Sequence, residues 1–398
     1  MATINKNFKK LAGNYLFSEI AKRTKVFSEE NPGVEILRLG IGNTTQPLPP
    51  TIIKGLLHGV KKLADVKTYT GYGDEQGDMR LREALSDRYK KLAVDIEPLE
   101  IFISDGAKPD SANIQSIFAA DSVVAVADPV YPVYVDSNIL ADKKKIVYMP
   151  CTQGNGFIPS PPKTKVDLVY LCSPNNPTGA VMRRAQLKAF VDYANKFKAV
   201  IIFDAAYCEY IYDKSLPKSI YQIAGSQSCA IEINSFSKWA GFTGVRLGWT
   251  VVPTDLVLDG TKKGEVNALW NRRQTTMFNG ASNIAQEGGL TVLSKNGQRE
   301  CQKVIDYYMG NARIIRTSLI KMGFEVFGGE NAPYLWLKIP HGFTSWGFFD
   351  KLLHQAHVVG TPGSGFGQNG EGYLRLSAFG HRENIKKALN SIKKNLKP

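Results

Sequence analysis

A set of short apolar runs that do not alternate with polar residues constrains this chain more than any other feature. SVVAVADP, VDLVYLCSP, AVIIFDAAY and CAIEINSFS are apolar almost throughout and are bounded by turn residues. A strand with one wet face alternates, whereas a strand covered on both faces does not. EIFIS, KIVYMP and GVRLGWTVV add further strand-like runs. Helical patterns such as DMRLREALSDRYKKLA and RAQLKAFVDYANKF lie between several of them. This succession predicts an α/β domain whose mostly parallel sheet is sandwiched by helices.

The 398 residues exceed one average domain. From Asn283 to Met322 the pattern is long and helical. Strand-like FEVFGGENAPYLWLKIP, helix-like SWGFFDKLLHQAH, glycine-rich GTPGSGFGQNGEG and YLRLSAFG then follow. A smaller α+β domain is expected over 283–398, beside a large domain over 49–282. Residues 1–48 are expected to form an N-terminal arm and part of the small domain.

Lys and Arg total 50 against 36 Asp and Glu, a net charge of +14. The basic residues are scattered, in KKLADVK, RYKK, DKKK and elsewhere, with no nucleic-acid motif. The expected partners are therefore small anions rather than nucleic acid. No run approaches the ~20 apolar residues of a membrane helix. The opening MATINKNFKKLAGNYLF lacks the apolar segment of a secretory leader, so a cytoplasmic location is expected. Cys151, Cys172, Cys208, Cys229 and Cys301 show no CxxC spacing and read as reduced core residues, with no metal.

In such sheets ligands sit beyond the carboxyl ends of the strands, and four motifs fall there. AVIIFDAAY closes on Asp204 and Tyr207; an acid ending an apolar strand needs a cation or hydrogen bonds, and alone it reads equally as a helix cap. VDLVYLCSP runs into NNPTGA, with Asn176, which alone is turn chemistry. ISDGAKPD, with Ala107 and Lys108, is a strand, a glycine turn and a helix start, whose free N–H groups suit a phosphate. DPVYPVY places Tyr131 and Tyr134 after another strand, where aromatic residues commonly just pack. To these, SFSKWAGFTGVRLGW adds Ser235, Ser237, Lys238 and Arg246. Pyridoxal 5′-phosphate demands this inventory. Its aldehyde needs a lysine amine, and its ring nitrogen needs a carboxylate. Its ring oxygen needs donors, its ring an aromatic face, and its phosphate hydroxyls, backbone donors and a guanidinium fork.

The chain resembles the fold-type I, aspartate aminotransferase-like pyridoxal phosphate enzymes. SPNNPTGA, IIFDAAYCEY and NSFSKWAGFTGVRLGW fall in that family's order and near its spacing. The resemblance implies that Lys238 is joined to the cofactor, that Asp204 pairs with the ring nitrogen, and that Asn176 and Tyr207 contact the ring oxygen. It implies that Tyr131 stacks on the ring and that Arg375, in YLRLSAFG, clamps the substrate α-carboxylate. GYGDEQGDMRLREAL, SDGAKPD, DPVYPVYVDSN and TMFNGASN are similar to the branch acting on diaminopimelate, a substrate with two amino-acid ends. That branch places Lys108 at the phosphate end, where relatives carry a Ser- or Thr-containing turn. It also implies that Tyr15, Gly42, Glu75 and Asn279 line the site. Tyr72, Glu75 and Asn279 would reach it from the partner subunit of a homodimer. The remaining partners would be an amino acid and a 2-oxo acid. The rival readings are another enzyme of this fold, such as an aspartate or aromatic aminotransferase or a C–S lyase, and a non-catalytic nucleic-acid-binding relative.

Overall fold

The apolar runs become the centre of a seven-stranded sheet in the computed structural model, which describes residues 1–11, 16–40 and 42–396. Across the sheet the strands run Ile101–Ser104, Gly248–Val251, Ala230–Ser235, Val200–Asp204, Leu168–Cys172, Val123–Asp128 and Lys145–Pro150. Only Gly248–Val251 is antiparallel to its neighbours. The other pairings are parallel. Every residue of the three strands Leu168–Cys172, Val200–Asp204 and Ala230–Ser235 is buried. Continuous apolar runs are what double coverage requires. Glu232 interrupts one of them, fully buried, and accepts hydrogen bonds from Tyr89 Oη (2.7 Å), Ser219 Oγ (2.6 Å) and the Ile220 amide (3.0 Å).

Parallel pairing brings the strand ends to one edge. Cys172 lies opposite Asp204, and Asp204 opposite Ile233. Ser104 and Ser235 both lie opposite Gly248. The SPNN turn, the acid, the serine–lysine turn and the Gly106 turn therefore converge without any long-range design beyond the sheet itself.

A second, four-stranded antiparallel sheet runs Thr361–Pro362, Tyr373–Ser377, Tyr334–Lys338, Val326–Gly328. The N-terminal strand Leu37–Arg38 pairs in parallel with Val358–Val359. The expected long helical stretch is two helices, Asn283–Leu293 and Lys295–Lys321. Ser294 breaks it, its Oγ accepting the Gly297 amide at 3.1 Å. A Cβ on Gly297 would stand 1.9 Å from the Thr291 carbonyl oxygen, so the tight junction needs glycine. Among the described residues no helix is long and apolar enough to cross a membrane.

Candidate active site

A cleft of about 380 Å³ opens at the strand ends, between the two sheets. Lys238 and Asp204 line the same cavity, with Asn176, Tyr207 and Tyr131. Ala107, Lys108, Ser235, Ser237 and Arg246 line it too. Arg375, on the strand Tyr373–Ser377 of the smaller sheet, and Gly42 close it from the other side.

Lys238 sits on the four-residue helix Phe236–Trp239, which Ser235 caps by accepting the Ser237 amide at 3.0 Å. Its Nζ donates to the Gly42 carbonyl and lies 5.2 Å from the Phe379 ring centroid. Among the described residues no carboxylate forms an ion pair with it. Burial, then the positive charges of Arg375 and Arg246, lower its pKa from 10.5 to about 7. The amine is thus neutral, and nucleophilic, some three pH units below an ordinary lysine.

Asp204 is 8% exposed. It accepts from Tyr134 Oη at 2.5 Å and from the Ala206 amide at 2.9 Å. Burial raises its pKa, while these two bonds oppose the rise. Tyr207 Oη and Tyr334 Oη lie 2.9 Å apart. Arg375, 1% exposed, donates from Nη1 to Asn176 Oδ1 at 2.7 Å and from Nη2 to the Gly40 carbonyl at 3.0 Å. Its Nε is buried without a protein acceptor, which leaves a donor aimed by a rigid fork.

Arg246 adopts a left-handed backbone, φ 67°. A Cβ on Gly106, itself at φ 133°, would come within 2.8 Å of Arg246 Nη2. Glycine there lets the guanidinium close on the turn that opens the helix Ala107–Asn113. Behind that turn Ser104 Oγ and Thr250 Oγ1 donate to the buried Asp110 carboxylate at 2.6 and 2.7 Å.

Tyr72, Glu75 and Asn279 do not line this cleft. Tyr72 is 88% exposed, and Asn279 is exposed as well. They share one surface region: a Cβ on Gly280 would lie 3.5 Å from Glu75 Cα, and Asn283 Nδ2 donates to the Gly71 carbonyl at 3.0 Å. Tyr15 lies outside the described residues. Sequence reasoning left out of the site two tyrosines that the structure puts there, Tyr134 and Tyr334. Tyr134 carried a signal only in the aromatic repeat of DPVYPVY: Tyr131 precedes the helix Val133–Leu140, and the two rings meet edge to face at 5.8 Å.

Residues 34–392 match the profile of the family described as aminotransferase class I and II. The chain belongs to that family. This aminotransferase is 53% identical, over 407 aligned residues, to the LL-diaminopimelate aminotransferase of Agathobacter rectalis, covering 99% of this chain and all of the relative. Its fold matches the L,L-diaminopimelate aminotransferase from Chlamydomonas reinhardtii with a TM-score of 0.93 at 46% identity, covering 99% of this chain and 98% of that one. It is also similar to an aromatic aminotransferase from Pyrococcus horikoshii, with a TM-score of 0.82 at 25% identity over 94% of this chain and 98% of that one.

Proposed function

We propose that this aminotransferase moves an amino group between LL-2,6-diaminopimelate and 2-oxoglutarate, with tetrahydrodipicolinate and glutamate on the other side, using pyridoxal 5′-phosphate. The observation that carries the choice of substrate is the 53% identity, over the whole of both chains, to a relative of that name. The aromatic aminotransferase stands far lower, at 25%.

The cleft fits the cofactor. Ala107, Lys108, Ser235, Ser237 and Arg246 would hold the phosphate, in the cradle that Gly106 keeps free of a side chain. Asp204 would face the ring nitrogen, Asn176 and Tyr207 the ring oxygen, and Tyr131 the ring face. When bound, the cofactor supplies an aldehyde for the amino group and an electron-accepting ring.

The chain's own residues do the rest. Lys238 Nζ, its pKa lowered to about 7, takes the proton from the substrate Cα as general base and, as general acid, would deliver it to the carbon that carried the cofactor's aldehyde. Asp204, held by Tyr134 and the Ala206 amide, would place its carboxylate against the protonated ring nitrogen. Arg375 binds the α-carboxylate and so fixes which face of Cα meets Lys238. Tyr207 Oη meets Tyr334 Oη at 2.9 Å and would share its phenol between that wall of the cleft and the ring oxygen. Both half-reactions use this one cavity, which gives ping-pong kinetics.

Glu75 from a second copy would pair with the distal ammonium of the substrate, alongside Tyr72 and Asn279 from the same copy. Exposed apolar residues in that region support a homodimer: Val66 is 92% exposed, Tyr69 62% and Met277 69%. A cytoplasmic location accords with five free, buried thiols.

Purified protein loaded with pyridoxal phosphate is expected to form glutamate from LL-diaminopimelate and 2-oxoglutarate. Aspartate, phenylalanine and tyrosine should serve as donors at least ~10²-fold less well, because they leave the distal polar groups unpaired. Equal rates with aspartate or an aromatic donor would defeat the substrate assignment.

A further inference from the structure

Arg88 lies outside the cleft, on the helix Met79–Lys90, at 8% exposure. Its Nε and Nη2 both donate to Glu209 Oε1, at 3.0 and 2.6 Å. Nη2 also lies 3.3 Å from Cys208 Sγ, as a donor. The guanidinium carbon stands 5.4 Å from the Trp239 ring centroid, 5.7 Å from Trp249 and 5.6 Å from Tyr89.

These partners are not scattered. Trp239 directly follows Lys238 on one short helix. Cys208 and Glu209 directly follow Tyr207 on a single 3₁₀ turn, Cys208–Tyr210. That turn already touches the lysine: Tyr210 Oη donates to the Lys238 carbonyl at 2.8 Å. One planar cation therefore rests against both turns, from behind the cleft.

A counter-ion for Glu209 would not need this arrangement. Lys218 already pairs with Glu209 at 3.3 Å and sits where water reaches it. Burying a guanidinium is costly, and Nη1 of Arg88 is buried with no acceptor. A donor left unpaired in the interior is an expense that charge balance alone does not explain. A rigid fork with two flat faces can brace two turns at once; a lysine cannot.

We propose that Arg88 is a positioning residue that sets the spacing between the Lys238 turn and the Tyr207 turn, and so aims the amine without touching substrate or cofactor. The inference rests on Lys238 being the lysine that carries the cofactor.

Arg88→Lys keeps a positive charge beside Glu209 but loses the fork and the flat faces. A displacement of the amine of about 1 Å should lower kcat by roughly 10- to 100-fold, with KM for both substrates within about threefold. The absorbance maximum of the resting, cofactor-loaded enzyme should shift, and the equilibrium binding of pyridoxal phosphate by the cofactor-free protein should change little. The double variant R88M/E209M removes both charges together and leaves no lone buried ion between them. It should show the same loss of kcat. Wild-type kcat and spectrum in Arg88→Lys or in the double variant would overturn the proposal. So would a loss of activity that only tracks a loss of folded protein by circular dichroism. A wild-type enzyme with no Lys238-dependent absorbance would instead strike the assignment of Lys238, so the two failures are distinguishable.

Discussion

Lys238→Ala is expected to take transamination below detection, a loss of at least about 10⁴-fold, since general acid–base transfer alone contributes ~10²–10⁴ and the covalent attachment is lost as well. The variant should still bind pyridoxal phosphate through the phosphate cradle, but without the absorbance of the joined form. The pH dependence has a definite sign. The amine's pKa falls from 10.5 to about 7, because burial and the charges of Arg375 and Arg246 disfavour the ammonium. Covalent uptake of the cofactor by the wild type should therefore rise as pH passes through about 7, where Nζ loses its proton. An ordinary surface lysine would still be gaining reactivity near pH 10. Stability follows by linkage. Between pH 7 and 10.5 the unfolded chain holds more protons at this amine than the folded chain, so its penalty to the fold is full below pH 7 and fades as pH rises. Lys238→Ala should remove that slope from the melting temperature of the cofactor-free protein. Residual turnover in Lys238→Ala would contradict its role.

Asp204→Ala should lower kcat by about 10²- to 10³-fold, the cost of losing one oriented charge where charge develops. The carboxylate has no cation among its protein contacts. Among the described residues its side chain is held by Tyr134 and the Ala206 amide, in a site whose burial raises its pKa. Burying a carboxylate without a cation is unfavourable unless something completes it, and a protonated ring nitrogen would. Removing it leaves Tyr134 Oη without its acceptor and the ring without its partner. Asp204→Asn keeps the shape and loses the charge, so it should fall as far in kcat. If either variant stays within tenfold of the wild type in a single-turnover half-reaction, the pairing of Asp204 with the ring does not hold.

The parallel sheet was readable because double coverage leaves a signature in the chain: Leu168–Cys172 and Val200–Asp204 are apolar end to end and lie side by side. The strand-end motifs were readable as a set for the same reason, since parallel strands carry their ends to one edge. Individually each was ambiguous. Tyr134 shows why. An aromatic residue after a strand usually packs, and Tyr134 does pack, stacked 5.3 Å from Tyr170, while its hydroxyl reaches Asp204. Tyr334 was hidden differently. It opens a strand of the smaller sheet opposite Ser377, and only the tertiary fold brings its hydroxyl to Tyr207. Arg375 reads as one polar residue in an alternating strand, and family resemblance alone singled it out. Nothing in local pattern announces that it meets Asn176, 199 residues away. Nor did periodicity reveal the break at Ser294, because the apolar spacing continues across it and a single glycine permits the junction. Tyr72 and Asn279 are exposed on this chain and Glu75 is half-buried, and none of them lines the cleft, so the role proposed for them needs a second copy.

The most direct measurement is to reduce the cofactor-loaded protein with borohydride, digest it, and locate the added pyridoxyl group by mass spectrometry. The account predicts one modified residue, Lys238, and a modification that LL-diaminopimelate prevents when added before the reductant. Label on another lysine, or none on the peptide holding Lys238, would contradict it.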